Sequence, residues 1–164
     1  MKSGNVVKIG MAIMLFGLAG FGFTRFFSGD DGVSEKMFFY DQSEKKLFSA
    51  SRELVPPIHG LNNSEEDAVR AVVISKSGNA DDKSSRTIAY LETFAPELRE
   101  TIAKARAGTG EPMPRGSRDS FRLVKRVEDA EWHKASTPEG QAIINGWNVA
   151  GPDGKFPVVC VPET

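Results

Sequence analysis

Few side chains here are of types that do chemistry, and they are badly spaced for it. The two histidines, His59 and His133, stand 74 residues apart, and the single cysteine, Cys160, is close to the C-terminus. A zinc site needs about four ligands, or three and a water, so these residues would have to recruit carboxylates from elsewhere. Cys160 with His133 is a formal nucleophile and base pair, but neither is flanked by a recognisable catalytic motif. The carboxylate runs Glu65-Glu66-Asp67 and Asp81-Asp82 lie in polar stretches, where solvated surface is the ordinary role. Asn79-x-Asp81-x-Lys83 breaks the calcium-loop pattern at its fifth position and lacks the later glutamate. There is no Gly-Lys-Ser/Thr phosphate loop and no Gly-x-Ser-x-Gly elbow. No catalytic, cofactor or metal set is assigned.

Charge is more informative. From Asp30 to Asp67 nine acids face four bases, whereas Arg99 to Arg126 holds eight bases against three acids. Arg99, Arg106, Arg115, Arg118, Arg122, Lys125 and Arg126 form a candidate interaction face for an acidic protein or for anionic lipid headgroups. The alternative is a charged surface that is merely soluble. Beyond residue 25 the chain carries 18 bases and 22 acids, which argues against a nucleic-acid partner.

The elements that must position these groups begin with Val6 to Phe27. Ile9 to Thr24 contains 16 residues without a charge, about 24 Å as a helix, which is short of a ~30 Å hydrocarbon core. Lys8 and Arg25 extend it by laying aliphatic stems along the slab, so that Val6 to Phe27 reaches about 33 Å. Ile9, Met14, Leu15, Phe16, Leu18, Phe21 and Phe23 supply the apolar surface of this expected membrane anchor. A cleaved signal peptide is the competing reading, although Leu18-Ala19-Gly20, the nearest cleavage-like run, lies inside the apolar stretch. The basic residues flanking the span are balanced. The short tail and Asp30-Asp31 favour a domain outside and an N-terminus inside, making this a single-pass inner-membrane protein with an extracytoplasmic domain.

The expected organisation is a tail and transmembrane anchor over 1–27, a tether over 28–35, and a soluble α+β domain over 36–164 with a small antiparallel sheet and two helices. One cysteine allows no internal disulfide, so burial alone must hold that domain. Lys36 to Tyr40 and Lys46 to Ala50 read as a hairpin. Ala68 to Ser75, apolar on nearly both faces, reads as a central strand. Arg86 to Glu92 is an antiparallel partner, or else a helix starting at Ile88. Pro96 opens a helix with Leu98, Ile102 and Ala105 inward and Gly108 at its end. Thr109 to Ser120 is a Gly/Pro-rich loop. A second hairpin joins Phe121–Arg126 to Glu131–Lys134. Thr137-Pro138-Glu139 caps a helix running to about Trp147, and Val158 to Val161 is a last edge strand.

Phe38-Phe39-Tyr40-Asp41, Leu47-Phe48, Pro56-Pro57-Ile58, Val69-Arg70-Ala71, Ile88-Ala89-Tyr90-Leu91-Glu92 with Pro96-Glu97, and Trp132 with Pro138 to Ile143 together form a pattern. It resembles a family of small, uncharacterised bacterial proteins with one N-terminal span and a C-terminal α+β domain. The resemblance implies an architecture and a location, and no chemistry. Members often place cysteines in the loop after the central strand; Ser77 to Asp82 has none, so no metal or disulfide role carries over. What remains is an envelope module for protein interaction or scaffolding. The alternatives are a cryptic enzyme using Cys160 and His133, or a secreted protein if the N-terminal segment is removed.

Overall fold

The computed structural model describes residues 34–62, 64–109 and 120–163. They belong to one compact unit, Ser34–Thr164; the expected anchor, most of the expected tether, and Arg115 and Arg118 of the Gly/Pro-rich stretch lie outside the described residues. Among the described residues no helix is long and apolar enough to cross a membrane.

The domain is α+β. Among the described residues seven antiparallel strands are joined in one sheet: β1 (Lys36–Asp41), β2 (Lys46–Ser51), β3 (Ala68–Ser75), β4 (Arg86–Phe94), β5 (Arg122–Lys125), β6 (His133–Lys134) and β7 (Val158–Cys160). The order is β2-β1-β3-β4-β5-β6, with β7 also on β3. β3 is central because Ala68, Val69, Ala71, Val73 and Ile74 are nearly all buried, which only a strand covered on both faces tolerates. One edge of β3 pairs with β4 along most of its length. Its other edge is divided: β1 takes Ala68 to Arg70, and β7 takes Val73 to Ser75. Where β1 departs from β3, Ser34 Oγ donates to the Pro162 carbonyl just past β7 (3.2 Å). Val72 pairs with Tyr90 and Val73 with Ile88, so Ala89 is an extra residue in β4, a bulge.

The β1–β2 turn is held by Asp41. Its carboxylate accepts from the Glu44 and Leu61 amides, both at 2.8 Å, and from Ser43 Oγ at 3.0 Å. The Glu44 amide, then that of Leu61, hold this carboxyl below its usual range. The contact ties the hairpin to the acidic loop before β3.

Among the described residues, two helices follow strands. α1 (Pro96–Arg106) buries Leu98 completely, but Lys104, Ala105, Ala107 and Gly108 are all exposed. The inward stripe therefore stops at Ile102 and omits Ala105, since the last turn runs out into solvent. Gly108, at φ +70°, takes the left-handed conformation beyond the helix end. α2 (Pro138–Asn145) starts as its sequence predicts. Thr137 Oγ1 accepts from the Gly140 amide, and Glu139 sits in the positive first turn. It stops at Gly146, one residue before Trp147.

Strand alternation sorts the core onto two faces. The first carries Val69, Ala71, Val73, Leu91 and Cys160, flanked by Phe38, Tyr40, Ile88 and Trp132. The second carries Tyr90 and Val124 beneath Ala135 and Ile143, with Val72, Ile144 and Trp147 at the margin. The strand reading of Arg86 to Glu92 holds over its helical alternative because Tyr90 and Leu91 serve opposite faces.

Candidate functional site

After β2, residues Arg52 to Val55 turn back across the second face and leave a cleft of about 580 Å³ between themselves and α1. Its walls are Met37, Leu54, Val55, Phe94, Leu98 and Ile102, with Arg52 and Glu53 on the turn and Arg70 on the sheet. Arg70 is the one charged residue in β3. β3 places it directly opposite Glu92 of β4, and its Nη1 donates to Glu92 Oε1 at 3.1 Å. The other oxygen of Glu92 is 3.7 Å from Arg122 Nη1. Side-chain exposure is 18% for Arg70, 8% for Glu92 and 29% for Arg122, so the three form a shielded row in which Glu92 lies between two guanidinium groups. Buried charge survives only where it is paired. The Arg70 guanidinium also lies 5.9 Å from the centre of the Phe94 ring. Its Nε is buried without a hydrogen-bond partner among the described residues. Burial first, and the Glu92 charge second, push the neighbouring Tyr90 phenol up.

The second face continues past α2 into an apolar groove of about 330 Å³, lined by Ile74, Ala89, Trp147, Val149, Pro152 and Pro157 with Lys76 and Asp153. The Trp147 indole N–H is buried here without a partner among the described residues. Val159, the cross-strand partner of Ile74, extends this surface outward. Val149, Phe156, Val159 and Val161 are each more than half exposed. The connecting turn is closed by the Gly151 amide donating to Lys155 O at 2.8 Å. The Lys155 amide, then the Lys155 charge, hold the Asp153 carboxyl below its usual range.

A third cluster joins the end of β3 to the start of β4. Ser75 and Ser85 hydroxyls are 2.5 Å apart, and Ser77 lies 3.0–3.1 Å from both. Asp82 accepts from the Ser84 hydroxyl at 2.6 Å and the Ser84 amide at 3.1 Å. Hydroxyl donation, from Ser84 first and Ser77 next, lowers this carboxyl to about 2. A carboxylate so readily ionised is a poor base at neutral pH, and both histidines lie elsewhere. The arrangement organises a loop and activates no nucleophile.

Of the sequence-predicted basic face, Arg99 on α1 pairs with Glu66 at 2.7 Å, Arg122 with Glu92, and Arg126 with Asp129 at 3.8 Å. Lys125 lies over the Trp132 ring at 5.1 Å. Arg122 pairs with Phe94 and Lys125 with Leu91, so they project from opposite faces of the sheet. Arg106 ends α1, its side chain outside the described set. Cys160 is buried on the first face, whereas His133, paired with Val124, points to the second. Three strands lie between β7 and β6, roughly 19 Å at ordinary strand spacing, so these two side chains do not meet. His59 Nδ1 is 3.0 Å from Ser64 O in an exposed loop. Among the described residues no three His, Cys, Asp or Glu side chains are grouped to hold a metal.

Comparison with protein-family models, with curated proteins and with solved structures returns no match. The resemblance described above therefore rests on its quoted residues alone.

Proposed function

We propose that this chain is a single-pass inner-membrane protein whose α+β domain, outside the cytoplasm, docks a protein partner through the apolar end of its second face. Val6 to Phe27 is the anchor in this reading. The observation that carries the docking surface is the Trp147 groove with Ile74, Pro152 and Pro157 in its wall and the largely exposed Val149 at its edge, Val159 standing exposed on β7 opposite Ile74. Single exposed apolar residues are ordinary, but exposed apolar side chains bordering an apolar concavity are the usual mark of an interaction site.

The test uses the full chain in bacterial membranes. A photoreactive residue at Val159 is expected to give one defined adduct, absent when it is placed at Leu47 on β2 and lost on Val149→Asp. Identical adducts from both positions, or none from Val159, overturn the docking surface. For location, Ser49→Cys should react with a membrane-impermeant maleimide in intact spheroplasts, native Cys160 being buried. Reaction only after lysis would put the domain inside.

A further inference from the structure

We infer that β2 is a self-association edge: two copies of the chain pair antiparallel along it, about a two-fold axis at Phe48, into one continuous sheet. This stands on a different surface from the β7 docking site and does not depend on it.

The edge is open and regular. β2 ends the strand order, and among the described residues no strand pairs with its outer side. It lies on β1 without a register shift and contains no proline, so two of the usual devices that blunt an edge strand are missing. Most of its residues are exposed, Leu47 at 41%. Just past the strand, the Arg52 amide donates to the Glu35 carbonyl at 2.8 Å and continues the ladder to β1. Backbone groups point alternately to the two sides of a strand, so Ala50, Phe48 and Lys46 also turn theirs towards β1, whereas Leu47 and Ser49 turn N–H and C=O outward. Those outward groups are what a further strand would bond.

Charge and backbone parity fit a second copy in one register. A pairing centred on Phe48 sets Leu47 against the partner's Ser49 and Ser49 against the partner's Leu47, which satisfies the outward groups of both. Phe48 then meets the partner's Phe48 as a close, non-hydrogen-bonded pair, an aromatic contact of the kind that stabilises sheets, on the face where its ring already lies 5.9 Å from that of Phe39. Lys46 faces the partner's Ala50, and Glu44 comes beside the partner's Arg52, an attraction that the symmetry repeats. A slip of one residue would oppose outward backbone groups to inward ones. Centring on Ser49 puts Lys46 opposite the partner's Arg52, and centring on Leu47 leaves Ser49 opposite Lys45, which at φ 53° belongs to the turn. Lysine on an edge commonly guards against pairing; here the charges oppose a competing register and permit this one. Such an isologous contact closes on itself and uses up the edge.

The experiment uses the full chain in mild detergent. Phe48→Cys is expected to give a disulfide-linked dimer under mild oxidation, since close antiparallel pairs stand about 4.5 Å apart at Cα, within bridging range; native Cys160 is buried. Ala50→Cys, on the same strand and face, should link at least about tenfold less, because its own counterpart lies about 14 Å along the edge. Phe48 also packs on Phe39, so charge reversal at exposed Glu44 and Arg52 supplies a second measure that leaves the packing alone. In sedimentation equilibrium, Glu44→Arg and Arg52→Glu should each weaken the dimer about tenfold, the effect of two exposed charge pairs turned repulsive, and the double variant should recover most of the affinity. Equal linking at both cysteines, a wild-type chain that stays monomeric at every concentration, or a double variant no tighter than the single ones would each overturn the assignment.

Discussion

Gly140→Ala sets two effects of opposite sign against each other. In a helix interior alanine is favoured over glycine by about 1 kcal/mol, and on that ground alone the variant should be more stable. The packing says otherwise. A Cβ on Gly140 would penetrate the Lys134 carbonyl oxygen and come within 2.9 Å of the Ala135 Cα. Both obstacles are backbone, so no side-chain rotation relieves them. The helix cannot easily back away either. Thr137 Oγ1 and the Thr137 amide both bond the Lys134 carbonyl, at 2.9 and 3.0 Å, and Gln141 Nε2 donates to Ala135 O at 2.6 Å. Overpacking usually destabilises by about 1–3 kcal/mol, and a rigid obstacle places this case near the top of that range. With the propensity gain subtracted, a net loss of about 2 kcal/mol is expected. Urea titration of the full chain in mild detergent, followed by tryptophan fluorescence, reads it directly, since both tryptophans lie in the domain. An unchanged or raised midpoint would mean that α2 does not lie against the Lys134–Ala135 backbone, and the Trp147 groove built on that placement would be wrong too.

Leu98→Ala should lower stability by about 3 kcal/mol in the same titration, because Leu98 is fully buried and its truncation loses both burial and packing. Glu92→Gln should destabilise by about 2 kcal/mol, less than a fully buried pair because Arg122 is partly in water; adding Arg122→Gln should restore part of the loss, which a double-mutant cycle would measure. Asp82 is held at about 2, below the ordinary 3.8. Its ionised form therefore favours the folded state above pH ~4, and that contribution fades as pH falls towards 2. Wild type should exceed Asp82→Ala at pH 7 and converge with it near pH 2 in urea midpoints. A gap that persisted at low pH would show that the hydroxyl contacts do not depend on the charge.

Those elements whose cues are local were readable in advance. The β1–β2 hairpin follows from two aromatic runs around a polar turn, and α2 from Thr137-Pro138-Glu139. Features made by remote residues were not. Val158 to Val161 reads as an edge strand, but nothing in it says that β7 shares one edge of β3 with β1. Arg70 was visible as the lone charge in an apolar strand; its pairing with Glu92 requires the register of β3 on β4, set by the whole sheet. The cleft joins residues 37, 52–55, 70, 94, 98 and 102, a set with no sequence spacing of its own. The basic segment is the opposite case. Its period-two pattern already places Arg122 and Lys125 on opposite sides of any strand, whereas counting charges along the chain treats them as one face.

The hydrogen bond from Ser34 to the Pro162 carbonyl has a mechanical consequence. A pull arriving through the preceding residues reaches the domain beside β7, which is bonded to the middle strand, and at the start of β1, which is bonded to both β2 and β3. The load is shared at once between two strands that grip the same central one. The domain should resist traction from that end better than a hairpin free to unzip from its tip.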